Sequence, residues 1–130
     1  MKPQIKSIHH IAIIAQHYEK TKIFYTDILG FTVIQENYRE QRRSYKCDLA
    51  LNGNYQIELF SFPEVAERAS NPEAAGLRHL AFAVTDIYEW HQWLLNNKVQ
   101  TEDVRIDEFT GKKFFFFRDP SGQPLEMYEG

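Results

Sequence analysis

Residues 77–84 read Leu77-Arg78-His79-Leu80-Ala81-Phe82-Ala83-Val84. Leu80, Phe82 and Val84 alternate with His79, Ala81 and Ala83, the period-2 pattern of a half-buried strand. The second face carries one histidine followed by two alanines, so the imidazole has small neighbours and space in front of it. Residues 8–15 repeat the pattern, with His10, Ala12 and Ile14 alternating with Ile11 and Ile13. The chain reads as if built twice.

The spacing supports a duplication. His10 and His79 are 69 residues apart. Each histidine strand is followed later by a turn and a strand carrying a glutamate among apolar residues. Asn52-Gly53 precedes Gln56-Ile57-Glu58-Leu59-Phe60, and Ser121-Gly122 precedes Pro124-Leu125-Glu126-Met127-Tyr128. Gly53 and Gly122 are again 69 apart, and Glu58 and Glu126 are 68 apart. One nearly constant offset across several landmarks is the signature of an internal repeat.

A length of 130 residues suits a single domain with a real core. With 43% apolar and 25% charged residues, disorder is excluded as the dominant state. A net charge of −3 gives no general electrostatic attraction to nucleic acid or an anionic membrane. No run reaches the length of a membrane span, and residues 1–7 lack an apolar signal core. The single cysteine, Cys47, cannot form an internal disulfide, so a reducing, cytoplasmic setting is expected. Cys47 lies between Lys46 and Asp48 with no histidine motif nearby, which favours an inert strand cysteine over a nucleophile.

The spacing predicts a helix over residues 17–29, closed by Gly30 just past its end. Strands are predicted over 31–38 and 44–51, joined by the charged segment 39–43. Asn52-Gly53-Asn54 signals a tight turn into a strand over 55–62. Residues 63–76, rich in Pro, Ser, Asn, Ala and Glu, read as a linker between module one (5–62) and module two (77–130). In module two, Thr85-Asp86 is an N-cap signal for a helix over 87–97, with Trp90, Trp93 and Leu94 on one face. Strands follow over 99–109 and 112–118, around Thr110-Gly111. Asp119-Pro120-Ser121-Gly122 has the chemistry of a type I turn, and 125–128 forms the last strand. Both halves read β-α-β-β-β, an α+β chain.

Sorting the matched strands by face puts Ile11, Ile13, Ile57, Leu59, Leu80, Phe82, Val84, Leu125 and Met127 on the helix-packing side. His10, Glu58, His79 and Glu126 fall on the other. A lone strand histidine is ordinarily a hydrogen-bonded residue, and a lone glutamate is ordinarily solvent-facing. All four coincide in phase, and burying a carboxylate on a sheet face is costly unless it is paired or bound to metal. Two imidazoles and two carboxylates suit a divalent first-row metal, with room left for water. His9 is a competitor for His10 but is expected on the helix-facing side, and surface roles are expected for His17 and His91. Arg39, Arg42, Arg43 and Lys46 are either a solvated hairpin or a grip for an anionic substrate group. Of Phe114, Phe115, Phe116 and Phe117, two rings are expected in the core and two on the ligand face. Phe60 and Tyr128 join them there as lining candidates.

His9-His10-Ile11-Ala12-Ile13, Phe24-Tyr25 with Leu29-Gly30-Phe31, Gln56-Ile57-Glu58-Leu59, Leu77-Arg78-His79-Leu80-Ala81-Phe82 and Asp119-Pro120-Ser121-Gly122 with Leu125-Glu126 resemble the vicinal oxygen chelate superfamily. Within it, the chain looks like the small bacterial glyoxalase I-like proteins. The resemblance spans nearly the whole chain and implies two tandem βαβββ modules forming a cupped mixed sheet around a metal site. It carries the His/Glu/His/Glu ligand set onto His10, Glu58, His79 and Glu126, holding one divalent ion per site (Ni, Co, Zn, Mn or Fe). Extradiol dioxygenases and fosfomycin transferases have no counterpart to Glu58, and methylmalonyl-CoA epimerases typically have Gln there, so Glu58 favours a glyoxalase-like site. The implied activity is isomerising or lyase chemistry on a small substrate with adjacent oxygens, of the 2-oxoaldehyde–thiol hemithioacetal type. A proton is transferred through a metal-stabilised enediolate, with Glu126 as base and Glu58 as its near-symmetric partner. The alternatives are another reaction of the superfamily (epimerase, dioxygenase or thiol transferase) or a non-catalytic small-molecule binding protein. The resemblance further implies a homodimer whose metal sites are shared between chains.

Overall fold

The computed structural model describes all residues from Met1 to Gly130. The chain divides into two compact units, Met1–Ala66 and Glu67–Gly130, each built around one mixed four-stranded sheet. In the first unit the strands are β1 (Ile11–Ile14), β2 (Thr32–Arg39), β3 (Ser44–Leu51) and β4 (Asn54–Phe60), in the order β1-β4-β3-β2. In the second they are β5 (Leu80–Val84), β6 (Arg105–Ile106), β7 (Lys113–Arg118) and β8 (Pro124–Glu129), in the order β5-β8-β7-β6. In each sheet the first strand runs parallel to the last, and the remaining pairs are antiparallel. The fold class is α+β, and the repeat seen in sequence recurs in topology.

The register carries the repeat to single residues. Ala12 faces Glu58 across β1 and β4, and Ala81 faces Glu126 across β5 and β8. Each histidine lies two residues before that alanine. A β-bulge accounts for the one-residue difference between the 69 and 68 offsets. Along β3, Leu49 faces Ile57 but Ala50 faces Tyr55, so Gln56 is the extra residue of β4. Since side chains alternate with period two, one added residue would have turned Glu58 to the opposite face. The bulge absorbs it.

One face of each sheet packs against a helix. In the first unit, α1 (Tyr18–Ile23) runs on into a π-helical turn over Phe24–Ile28, instead of the single α-helix predicted to Leu29. Tyr18, Thr21, Phe24 and Tyr25 are buried, and the wide turn keeps Leu29 and Phe31 buried too, with Phe31 N–H donating to the Tyr25 carbonyl at 2.9 Å. Gly30 then adopts φ +86°, which an L side chain rarely takes. Ile13, Cys47, Leu49, Ile57 and Leu59 complete this core. In the second unit, α2 (Ile87–Asn96) begins at Asp86, whose carboxylate accepts the Glu89 N–H at 3.0 Å. Ile87 and Leu94 are buried against Phe115, Phe117, Leu125 and Met127. Full burial of each large apolar side chain contributes roughly 1.5–3 kcal/mol.

Four local expectations are corrected. β5 starts at Leu80 and β1 at Ile11, so both histidines precede their strands. Trp93 is 46% exposed; Leu94 is buried as expected, but its fully buried companion on α2 is Ile87. The strand predicted over 99–109 shrinks to Arg105–Ile106 and one bridge from Thr101 to Phe117. Asp107 caps the loop beyond it, accepting Phe109 N–H through its side chain and Gly111 N–H through its carbonyl. His91 is half-buried and not a free surface residue: its ring packs edge-on against Phe115, and its Nε2 stands 3.0 Å from the Glu102 carbonyl and 3.1 Å from the Thr101 hydroxyl. The turn at Asp119 forms as predicted, with Gly122 N–H donating to the Asp119 carbonyl at 3.0 Å. No helix is long and apolar enough to cross a membrane.

Candidate metal centre

In the first unit, His10 Nε2 stands 3.6 Å from Glu58 Oε1. The imidazole is stacked on Tyr55, with centroids 5.0 Å apart and planes 7° from parallel. The Tyr55 hydroxyl donates to Asp48 Oδ1 at 3.1 Å. Lys46 bridges the two carboxylates, 2.7 Å from Asp48 Oδ1 and 3.3 Å from Glu58 Oε2. Asp48, then Glu58, hold the Lys46 ammonium above its usual pKa range. Burial, with the Asp48 and Glu58 charges, pushes the Tyr55 phenol up as well. One oxygen of Glu58 therefore faces a histidine and the other a lysine.

The second unit builds the equivalent pair in different company. His79 Nε2 stands 3.2 Å from Glu126 Oε1. The edge of the His79 ring meets Phe116, which lies opposite Glu126 in register, at 5.0 Å. Only 8% of Glu126 is exposed. Burial pushes its carboxyl above the ordinary glutamate range; His79 opposes the shift, Asp107 adds to it and Arg105 opposes it. No lysine reaches Glu126 as Lys46 reaches Glu58. Arg105 lies instead over the rings of Phe114 and Phe116, at 5.1 and 5.8 Å. The Tyr128 hydroxyl is engaged by Asp107, donating to Oδ2 at 2.9 Å.

The four residues singled out in the sequence thus lie as two His–Glu pairs, one per unit. No group of three or more His, Cys, Asp or Glu side chains gathers in the single chain. Donors that share a metal at about 2.0–2.2 Å stand about 3 Å from one another, so the N–O separations in both pairs fit neighbouring positions on one ion. The buried His79 Nδ1, which has no hydrogen-bond partner, leaves Nε2 as the nitrogen aimed at Glu126. The donor chemistry fits a divalent metal.

His9 is not on the helix side. Because β1 starts only at Ile11, strand alternation does not govern residues 9 and 10. His9 Nδ1 lies 2.9 Å from His10 Nδ1, and its ring meets the same Tyr55 edge-on at 5.3 Å. Cys47 is fully buried, and burial pushes its thiol up, away from nucleophilic reactivity. Phe115 and Phe117 fill the core while Phe114 and Phe116 share the Glu126 face. Sequence reasoning missed Tyr55, Asp48 and the link from Lys46 to Glu58. The period-2 phase of β3 puts Lys46 and Asp48 on the Glu58 face, but only the register set by the bulge reveals them as neighbours.

The profile of the Glyoxalase/Bleomycin resistance protein/Dioxygenase superfamily matches residues 7–127. The Bacillus subtilis (strain 168) protein YwkD is 60% identical over 125 residues, covering 96% of this chain and 98% of its own. The metallothiol transferase FosB of Staphylococcus haemolyticus is 30% identical over 131 residues, covering 97% of this chain and 85% of its own. Among solved structures, a glyoxalase family protein from Enterococcus faecalis superposes with a TM-score of 0.88 at 48% identity, covering 95% of this chain and 98% of that one.

Proposed function

The chain belongs to the Glyoxalase/Bleomycin resistance protein/Dioxygenase superfamily, and on that premise we propose that it is a divalent-metal-dependent, glyoxalase I-like enzyme. Its substrate is a small molecule with adjacent oxygens, such as a 2-oxoaldehyde–thiol hemithioacetal, and its reaction is a proton transfer through an enediolate. His10, Glu58, His79 and Glu126 are the residues that would hold the ion. A bound divalent ion would supply Lewis-acid polarisation of the two substrate oxygens.

The difference between the two glutamates carries the proposal. Glu126 is buried beside Phe116, and that burial pushes its carboxyl pKa up, which makes its carboxylate the better proton acceptor. His79, 3.2 Å away, orients the carboxylate. Lys46 already occupies one oxygen of Glu58, leaving the other to serve as a ligand. We therefore assign Glu126 as base and Glu58 as its near-symmetric partner. FosB, a metallothiol transferase, supports metal chemistry with thiols among relatives and supplies the alternative reading, a thiol transfer.

We further propose a homodimer in which His10 and Glu58 of one protomer complete the site with His79 and Glu126 of its mate. The division of donors between two units supports it, as do the apolar Ile5, Ile8, Val33 and Ile34, all left exposed in the single chain. The experiment is metal loading followed by assay of methylglyoxal hemithioacetals made from several thiols. About one ion should bind per chain, and Ni²⁺ or Co²⁺ should support more activity than Zn²⁺, because an oxygen-rich donor set suits six-coordination. Failure to bind any ion under any loading condition would end the proposal in this form.

A further inference from the structure

Arg39 closes β2, facing Ser44 across the strand pair. Its guanidinium lies 4.8 Å from the centre of the Phe60 ring and 5.8 Å from that of Phe62. The two rings are themselves stacked, 6.0 Å apart and 16° from parallel. One Nη donates to the hydroxyl of the fully buried Ser44 at 2.9 Å, while Nε is buried with no acceptor. Arg39 takes part in none of the chain's ion pairs.

Other arginines show what a structural role looks like here. Arg68 also has a buried Nε, yet its remaining donors reach Gln123 and the carbonyls of Leu77 and Arg78. Arg118 donates to the Gly122 carbonyl. Arg39 has one neutral hydroxyl and two aromatic faces, and its full charge is uncompensated. A half-buried guanidinium without a counter-charge is costly unless something anionic is to sit against it. The rings and Ser44 hold the planar fork in one orientation, so little of its freedom remains to be lost on binding.

Its position matters as much as its state. Phe60 lies two residues beyond Glu58 on the same face of β4, about 7 Å along the strand. Lys46, opposite Phe60 in register, is already paired with Asp48 and Glu58, so Arg39 and not Lys46 is the cation free to take an anion here. We propose that Arg39, seated on Phe60 and Phe62, receives an oxyanion (carboxylate, phosphate or phosphonate) at the end of the substrate remote from His10 and Glu58. The substrate is then an anionic small molecule, not a neutral one. What happens at its other end rests on the proposed metal-dependent function; anion binding by Arg39 does not.

Two measurements on the full-length protein separate the two. First, inorganic phosphate is titrated into chelator-treated protein at neutral pH while the arginine Nε resonances are followed by NMR. The Arg39 resonance should move saturably. Arg39→Gln should weaken phosphate binding by about tenfold or more, and Arg39→Lys, which keeps the charge but loses the fork, by several-fold. Arg42→Gln, in the same turn, should bind as the native protein does. Second, calorimetry compares succinic monohydroxamate with acetohydroxamate on metal-loaded protein. The added carboxylate should tighten binding about tenfold in the native protein and have no effect in Arg39→Gln. Phosphate bound equally well by a folded Arg39→Gln variant would overturn the anion site. A carboxylate tail that adds nothing in the native protein would overturn its place in substrate recognition. If neither hydroxamate binds but phosphate still requires Arg39, the metal-dependent function falls and the anion site stands.

Discussion

Glu58 and Glu126 are equivalent by sequence offset and by register, yet a lysine sits on one and a phenylalanine ring beside the other. That difference makes two predictions. Glu126→Gln should abolish turnover far more than metal binding. An amide oxygen still reaches an ion but cannot accept a proton, and losing a general base typically costs roughly 10²–10⁴-fold. Metal titration by calorimetry beside a rate measurement decides this, and near-normal turnover would remove Glu126 as the base. The second concerns pH. Burial raises the Glu126 carboxyl, so the folded chain holds that proton more tightly than the unfolded chain does. Between the free value of about 4.3 and its higher native value, stability conferred by the proton is therefore lost as pH rises. In metal-free protein, Glu126→Gln should gain stability relative to the native chain at pH 7 but not below pH 4, by urea unfolding. A Glu126 carbon resonance titrating at or below the free value would contradict it.

Local elements were legible where one signal acted alone. The Asp86 cap, the turn at Asp119 and the glycine after the first helix each depend on a few adjacent residues, and each forms as read. Asp86→Ala should cost about 1 kcal/mol in urea unfolding, and Asp86→Asn much less, since either oxygen can accept the Glu89 N–H. Signals that depend on distant partners were not legible. The π-helical turn is one such case: Tyr25 and Leu29 keep an ordinary helical spacing, so nothing local marks the turn as wider than an α-helical one. The long strand expected over 99–109 fails because its charges, Asp103, Arg105 and Asp107 among them, belong to an edge. His9 and His10 escaped strand alternation because β1 begins one residue later. The two His–Glu pairs were readable because the repeat states the same pairing once in each unit. Lys46 and Tyr55, which occur in one unit only, carried no such signal.

At the scale of the whole molecule, each unit would supply two donors to the proposed ion, and an ion of this kind needs at least four ligands, water included. The proposed homodimer would provide them in an isologous pair, with one half of each chain facing the other half of its mate. Genetics can test it without a structure of the assembly. His10→Ala and His79→Ala homodimers should each lose both sites. In a mixed dimer of the two variants, one site would collect both lesions and the other would keep all four native donors. Refolding the inactive variants together should therefore return part of the native activity, up to about one quarter if chains pair at random and each intact site works alone. Metal content should follow the same pattern, which separates restored ion binding from restored chemistry. Sites built within single chains would leave every chain damaged, so no activity would return. If mass spectrometry shows heterodimers while neither activity nor metal recovers, the shared site is ruled out.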